Sequence, residues 1–193
     1  TELFFLVVLG MITSLSLPPL NYLLVNFLTF SLFFIFLIKK SKQHKNLKYF
    51  FLYGWLFGFG YFAISLYWIS IALTFDQNFN FLFPLALFII PAFLALFYGL
   101  VSFFFIILKP IKIVSSFLLF SLIFGITEYI RGSILTGFPW NLIVYSFSNQ
   151  LEFLGVLSIL GTYGLNLFCI SLFTCPAIFI ISGTKKNIGV CIF

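Results

Sequence analysis

An acidic and a basic side chain three residues apart are the residues of this sequence best placed to do chemistry. Glu128 and Arg131 end a helix-length apolar run. Residues at i and i+3 share one face of a helix, so the two can form an ion pair. Ionisable side chains are expensive within a bilayer and mark a functional site by default. An Arg guanidinium also offers a planar fork of donors to a phosphate or a carboxylate. Two interpretations stay open: a structural ion pair that ties the helix to the next turn, and a site that contacts substrate.

A turn rich in glycine, proline and aromatic residues follows this pair. It consists of Thr136, Gly137, Phe138, Pro139 and Trp140. Glycine and proline fix loop geometry, and Trp is enriched where a membrane meets water. The turn is therefore predicted to hold a rigid aromatic surface at a membrane edge, where Phe138 and Trp140 can pack against acyl chains.

The composition indicates the class of protein that carries these residues. Hydrophobic residues make up 63% of the chain and charged residues 7%, whereas a soluble domain has about 25% charged residues. Apolar runs of about 20 residues, the length that crosses a bilayer, recur along the sequence. We predict an all-α, polytopic transmembrane helical bundle with six complete spans plus the start of a seventh near Ile188. The six are expected at about 3–17, 20–38, 49–73, within 79–108, 113–131 and 161–181.

The lysines predict the orientation of these spans. All nine lie in three short segments, 39–48, 109–112 and 185–186, and the intervening loops carry Asp76 and Glu152 without any lysine. Lysine-rich loops that alternate with lysine-free loops follow the positive-inside rule. The net charge of +6 is therefore assigned to membrane orientation and not to nucleic-acid binding. We expect a multi-pass protein of a bacterial inner membrane with its lysine-rich loops in the cytoplasm.

Small residues in the third predicted span indicate a packing face. Gly54 and Gly58 form a G-x-x-x-G pattern, and Gly60 adds a third small residue. Such faces let helix backbones approach closely. Trp68 lies towards the outer end of the same span, where an interfacial aromatic is expected. The face is interpreted either as simple helix packing with an aromatic belt or as one wall of a lipid cleft.

The string formed by residues 128–140 resembles the Glu-x-x-Arg-Gly-x-x-x-Thr-Gly-Phe-Pro-Trp signature of bacterial apolipoprotein N-acyltransferases. Residues 54–60 with Trp68 resemble the third transmembrane helix of that family, and residues 161–166 resemble the start of its sixth. The resemblance covers essentially the whole chain, but only the membrane half of such an enzyme. It implies that residues of the 128–140 string and Trp68 border a lipid-accessible cleft.

The resemblance also implies where the chemistry is done. In this family a periplasmic nitrilase-like domain, expected here beyond residue 193, uses a Cys nucleophile with a Glu base and a Lys. It takes an acyl chain from a membrane phospholipid and passes it to the α-amino group of a diacylglyceryl-cysteine on an apolipoprotein. Because the chain starts at Thr1 and stops within an apolar run, we expect residues 1–193 to be the transmembrane fragment. The implied partners are the phospholipid donor and the apolipoprotein acceptor.

The residues themselves leave other functions open. A non-enzymatic polytopic membrane protein, such as a transporter or a scaffold, is one alternative, although the sequence lacks the matching broken spans of a repeat-built transporter. Another lipid-modifying transferase of the same lipoprotein pathway is a second. The three cysteines, at positions 169, 175 and 191, match no family nucleophile. No cluster of metal ligands and no phosphate-binding glycine loop occurs in the sequence, so neither a metal nor a cofactor is predicted.

Overall fold

The computed structural model describes residues 2–134 and 139–182, and the regular elements in both ranges are all helical. This confirms the all-α class. The α-helices are α1 (Glu2–Ser14), α2 (Leu24–Gln43), α3 (Leu47–Ser65), α4 (Tyr67–Ala72), α5 (Phe83–Leu108), α6 (Ile113–Ser133), α7 (Leu151–Leu154), α8 (Leu157–Thr174) and α9 (Pro176–Ser182). Short 3-10 helices occupy Leu73–Phe75, Gln77–Leu82 and Ile143–Phe147.

The described residues do not confirm the predicted count of six complete spans plus the start of a seventh. Five segments of the described chain are long and apolar enough to cross a bilayer: α2, α3, α5, α6, and α8 together with α9. Helix α1 is apolar but has 13 residues, which gives a length of about 20 Å against a hydrocarbon core of about 30 Å. The predicted seventh span, near Ile188, lies outside the described residues.

Local sequence accounts for several helix boundaries. The side chain of Asn46 caps α3 by accepting a hydrogen bond from the Lys48 backbone N–H at 3.1 Å, which satisfies a donor that the first turn leaves free. Pro84 lies in the first turn of α5, where its missing N–H is harmless. The expected third span is shorter than predicted, because the helix breaks at Leu66 before α4 resumes.

Six helices close into a ring. Going around it, α1 packs on α3, α3 on α5, α5 on α6, α6 on α8, α8 on α2, and α2 back on α1. The ring is filled by phenylalanine and tyrosine. Phe33 of α2 stacks on Phe57 of α3 with centroids 4.2 Å apart, and Tyr98 of α5 meets Phe124 of α6 edge to face at 4.7 Å. Because lipid gives helices no hydrophobic drive to associate, such close van der Waals contacts are what hold the bundle together.

The two ends of the ring differ in character. Partial burial, followed by the positive charges of Lys45 and Lys42, lowers the pKa of Lys109. The α2–α3 and α5–α6 connections therefore lie together at one end, called here the lysine end. Helix α3 has 19 residues and carries the chain about 28 Å away from it. The opposite end, called here the aromatic end, holds Trp68 and residues 139–148.

Candidate functional site

A fully buried ion pair lies in the last turns of α6, close to the aromatic end. The side chains of Glu128 and Arg131 have no solvent exposure. Arg131 donates from Nη2 to Glu128 Oε2 at 2.5 Å and from Nε to Oε1 at 3.4 Å. Its guanidinium carbon also lies 5.2 Å from the ring centroid of Phe62 on α3, within range of a cation–π contact. Each buried charge is thus neutralised by its partner, which a low-dielectric interior requires.

Arg131 also joins α6 to the chain that follows the turn. Its Nη1 donates to the backbone carbonyl of Trp140 at 3.1 Å. The next carbonyl, that of Asn141, accepts a hydrogen bond from the Tyr61 hydroxyl at 2.8 Å. The Asn141 side chain donates in turn to the carbonyl of Ser65 at 3.0 Å. We call these residues, Tyr61, Ser65, Arg131, Trp140 and Asn141, the clasp, because together they fix the segment after the turn to α3 and α6.

The backbone at Asn141 explains why an asparagine lies there. Its φ is 56°, in the left-handed region that most residues avoid and that Asn tolerates better than most. The chain reverses here before the 3-10 helix Ile143–Phe147. Asn166 of α8 then accepts a hydrogen bond from the Val144 backbone N–H at 3.0 Å. The segment is therefore held by α3, α6 and α8 at once.

Two tryptophans mark the outer surface of this segment. The rings of Trp68 on α4 and Trp140 have centroids 5.3 Å apart with planes tilted by 37°. Both side chains are about half exposed, at 44% and 46%. Pro139, which is half-buried, immediately precedes Trp140. A half-exposed Trp pair at one end of a membrane bundle is typical of a membrane–water interface.

The structure brings the sequence-predicted residues into two neighbouring groups. Glu128 and Arg131 form the buried pair, Trp68 and Trp140 form the surface pair, and Arg131 joins the two through the Trp140 carbonyl. Three residues of the predicted turn lie outside the described residues: Thr136, Gly137 and Phe138.

Sequence reasoning did not identify three members of the clasp, Tyr61, Ser65 and Asn141. A usable signal was present only for Asn141. It follows a proline and an aromatic residue in a predicted turn, and asparagine adopts the left-handed backbone conformation of turns more readily than most residues. Tyr61 and Ser65 are ordinary residues of an apolar helix. Their partners lie 80 and 76 positions away in sequence.

The glycines of α3 face two different helices. A side chain at Gly54 would overlap the Tyr98 carbonyl of α5, and a Cβ at Gly58 would lie 2.7 Å from the Tyr98 Cβ. Gly60 faces α1, where a side chain would overlap the carbonyl of Val7. The small residues therefore lie where α3 meets both neighbours, and the α3 backbone that carries Tyr61 and Ser65 is held between them.

The chemistry available to this arrangement is positioning. The side chains of Tyr61, Arg131 and Asn141 donate hydrogen bonds to backbone carbonyls, and the buried charges face each other. Cys169 is fully buried in α8, whereas reactive cysteines are at least partly exposed. What the geometry does provide is a rigid aromatic surface anchored to a buried ion pair.

Comparison with known proteins identifies what the chain is similar to. A sequence model described as the apolipoprotein N-acyltransferase N-terminal domain matches residues 9–175. A relative from Rhodopseudomonas palustris named apolipoprotein N-acyltransferase is 36% identical over 183 residues, which is 92% of this chain and 33% of the relative. Relatives of the same name from Rickettsia prowazekii and Allorhizobium ampelinum are 38% and 33% identical and cover 86% and 92% of this chain. These matches take up 32% and 34% of those two relatives. The chain therefore spans about a third of the length of these relatives.

Proposed function

The chain belongs to the apolipoprotein N-acyltransferase N-terminal domain family, and we propose that it is the membrane part of such an enzyme. The proposed reaction transfers an acyl chain from a membrane phospholipid to the N-terminal diacylglyceryl-cysteine of an apolipoprotein. The observation that carries the proposal is the buried Glu128–Arg131 pair, which holds the Trp140 backbone beside Trp68. An enzyme that takes its substrate from a bilayer needs a fixed surface of this kind at the membrane edge.

We assign the catalytic groups to a periplasmic nitrilase-like domain outside this chain. Covalent relay through an activated Cys is a general route for acyl transfer, and Cys169 is fully buried within the helices. The role left to the described residues is to position lipid. In this role Arg131 acts through the Trp140 carbonyl that it holds, while the exposed faces of Trp68 and Trp140 meet acyl chains. Pro139, which immediately precedes Trp140, would complete the same edge.

The five span-length helices and the bacterial relatives make this a bacterial membrane protein. We propose further that it lies in the inner membrane with six spans and the start of a seventh, α1 being the short additional span. The closed ring supports this count, because α1 lies between α2 and α3 as a full member. We also propose that the lysine end faces the cytoplasm.

The orientation can be tested by labelling a cysteine placed at Lys45. In intact cells, a membrane-impermeant maleimide should leave Lys45→Cys unlabelled, and it should react after the membrane is opened. Trp68→Cys, at the aromatic end, is the matched position and should react in intact cells. Labelling of the Lys45→Cys protein from outside would reverse the proposed orientation.

The function can be tested with the longer protein that contains this chain. The purified protein should add one acyl group from a phospholipid to the α-amino group of a synthetic diacylglyceryl lipopeptide, as measured by mass spectrometry. Trp140→Ala should lower the rate while the protein still reaches the membrane. Ile126→Ala, on the exposed face of α6, is the matched control and should transfer at the wild-type rate. If the intact protein modifies no lipopeptide, the proposal fails and a non-enzymatic membrane role replaces it.

A further inference from the structure

A cavity of about 640 Å³ lies at the aromatic end, on the α1 side of α3. It is bounded by the α1–α2 turn, the end of α3, the start of α4 and the segment that follows Trp140. Its volume falls within the range of small-molecule sites, about 300–1,000 Å³. The cavity is distinct from the buried ion pair, because neither Glu128 nor Arg131 is among the residues that line it.

The lining of this cavity is mainly apolar. Leu17, Pro18, Leu20 and Ile64 contribute aliphatic surface, and Trp68 contributes an aromatic wall. No Lys, Arg, Asp or Glu is among the described residues that line it. A charged headgroup would therefore lose its hydration without gaining an ionic partner, which is strongly unfavourable. A hydrocarbon chain has no such penalty.

One polar atom in the cavity wall lacks a partner. The Ser65 hydroxyl is buried and makes no hydrogen bond within the described part of the chain. Its own carbonyl is already used by Asn141, and Ser148, also in the wall, donates to the side chain of Asn21 at 3.3 Å. A buried donor without an acceptor costs roughly 1–3 kcal/mol. Rotation about the Ser65 Cα–Cβ bond would turn this hydroxyl into the cavity, where an ester carbonyl at the head of an acyl chain would supply the missing acceptor.

We propose that this cavity binds one acyl chain of a glycerophospholipid, with the ester carbonyl of that chain accepting a hydrogen bond from Ser65. The proposal deepens the proposed function, because the chain would then lie beside Trp68 and Trp140, at the surface that the clasp holds in place. Asn141 links the two features, since it lines the cavity and also belongs to the clasp.

The test is photolabelling of the longer protein that contains this chain, in vesicles of dioleoylphosphatidylcholine. The probe is a phosphatidylcholine with a diazirine in one acyl chain, and the labelled residues are mapped by mass spectrometry. Labelling at residues 15–20 and at Ile64 should saturate as the fraction of probe rises. Labelling at Leu118, an exposed residue on the outer face of α6, should rise in proportion to the probe, as for bulk lipid.

Two variants make the result specific. Ile64→Trp fills the cavity and should abolish the saturable labelling at residues 15–20, while Leu118→Trp, the matched control, should leave it unchanged. Ser65→Ala should raise the half-saturating probe fraction about fivefold, the value of one neutral hydrogen bond. If Ile64→Trp prevents folding, as judged by its melting temperature, Leu20→Trp takes its place.

Three outcomes would overturn the proposal: labelling at residues 15–20 that never saturates, labelling that persists in the cavity-filled variant, and crosslinking of this cavity to another part of the polypeptide instead of lipid. The readout is lipid occupancy and not acyl transfer. An enzyme that transfers acyl groups without saturable labelling would refute only the cavity. Saturable labelling without transfer would refute only the proposed function.

Discussion

Arg131 donates a hydrogen bond to the backbone carbonyl of Trp140 across 3.1 Å, while the same guanidinium is paired with Glu128. The contact joins a buried charge to a half-exposed aromatic residue nine positions later. A charge in the bundle interior is unfavourable unless its donors are satisfied, so the position of the Trp140 backbone is coupled to the stability of the ion pair. Because of this coupling, substitutions of Glu128 and Arg131 can test whether the ion pair positions Trp140.

Removing one charge of the pair should be more harmful than removing both. Glu128→Gln leaves the Arg131 charge buried without its counter-ion, and a loss of about 3–5 kcal/mol in the free energy of unfolding is expected. The double variant Glu128→Gln with Arg131→Gln removes both charges at similar size and should lose less than Glu128→Gln alone. Unfolding in mixed detergent micelles measures both values.

The same double variant separates structure from function in the longer protein. If it is stable and transfers acyl groups at the wild-type rate, the pair is a dispensable structural ion pair. If it is stable but slow, the pair positions the Trp140 surface. If the losses in the free energy of unfolding of Glu128→Gln and Arg131→Gln add up to the loss of the double variant, the two charges do not stabilise each other.

Two substitutions at Asn141 should separate its side-chain hydrogen bond from its backbone conformation. Asn141→Gly keeps access to the left-handed φ of 56° and loses the bond to Ser65, a loss of about 0.5–1.5 kcal/mol. Asn141→Ala loses the same bond and adds about 1 kcal/mol of backbone strain. The alanine variant should therefore have the lower melting temperature. Equal melting temperatures would mean that the left-handed backbone is not retained.

The sequence predicted those features of the fold that depend on single residues and their neighbours. Helix α6 begins at the predicted Ile113, and α8 is kinked at Gly161, where the sixth span was predicted to start and where φ is 66° and ψ 167°. Proline and glycine act locally on the backbone, so their effects can be read from sequence. The shortness of α1 and the break at Leu66 were not predicted, because hydrophobicity does not report where the backbone hydrogen bonds stop.

The site was predicted only in part, for a related reason. Glu128, Arg131 and the two tryptophans have side chains that stand out against an apolar background. The acceptors through which Arg131 holds Trp140 and Tyr61 holds Asn141 are backbone carbonyls, which every residue possesses and no residue type reveals. Which carbonyl is used depends on how the helices of the ring pack, and that packing is specified by many contacts at once.

A large residue at Gly58 should separate α3 from α5. A Cβ there would already lie 2.7 Å from the Tyr98 Cβ, so Gly58→Leu cannot be accommodated unless the helices move apart. Such overpacking typically costs about 1–3 kcal/mol. Membrane insertion should persist, because α3 becomes more apolar. Gly164→Ala is a suitable control, since its Cβ would lie at an ordinary 3.5 Å from Leu160. A Gly58→Leu protein with the wild-type melting temperature in detergent would contradict this packing.

Alanine at Gly161 tests backbone strain without any steric overlap. No atom lies within 4 Å of a Cβ built there, but φ 66° with ψ 167° is a region open essentially to glycine alone, at a cost of about 1–3 kcal/mol to other residues. Gly161→Ala should therefore destabilise the protein although space is available, and Gly164→Ala should be nearly neutral. Thermal unfolding of the two variants gives the comparison. Equal melting temperatures would show that Gly161 does not hold the left-handed backbone conformation of the kink.

Lys109 predicts how the lysine end responds to pH. Burial and the nearby charges of Lys45 and Lys42 lower its pKa below the ordinary 10.5, so between the lowered value and 10.5 the unfolded chain binds more protons than the folded chain. Stability contributed by this group therefore rises with pH through that window.

At neutral pH, where Lys109 is charged in both states, Lys109→Met should raise the melting temperature in uncharged detergent. The gain should shrink as salt screens the repulsion and as pH approaches 10.5. Lys112→Met, in the same loop and exposed, should give a smaller gain. A Lys109→Met protein that melts below wild type at pH 7 and low salt would show that burial and the neighbouring lysines do not make the Lys109 charge destabilising in the folded protein.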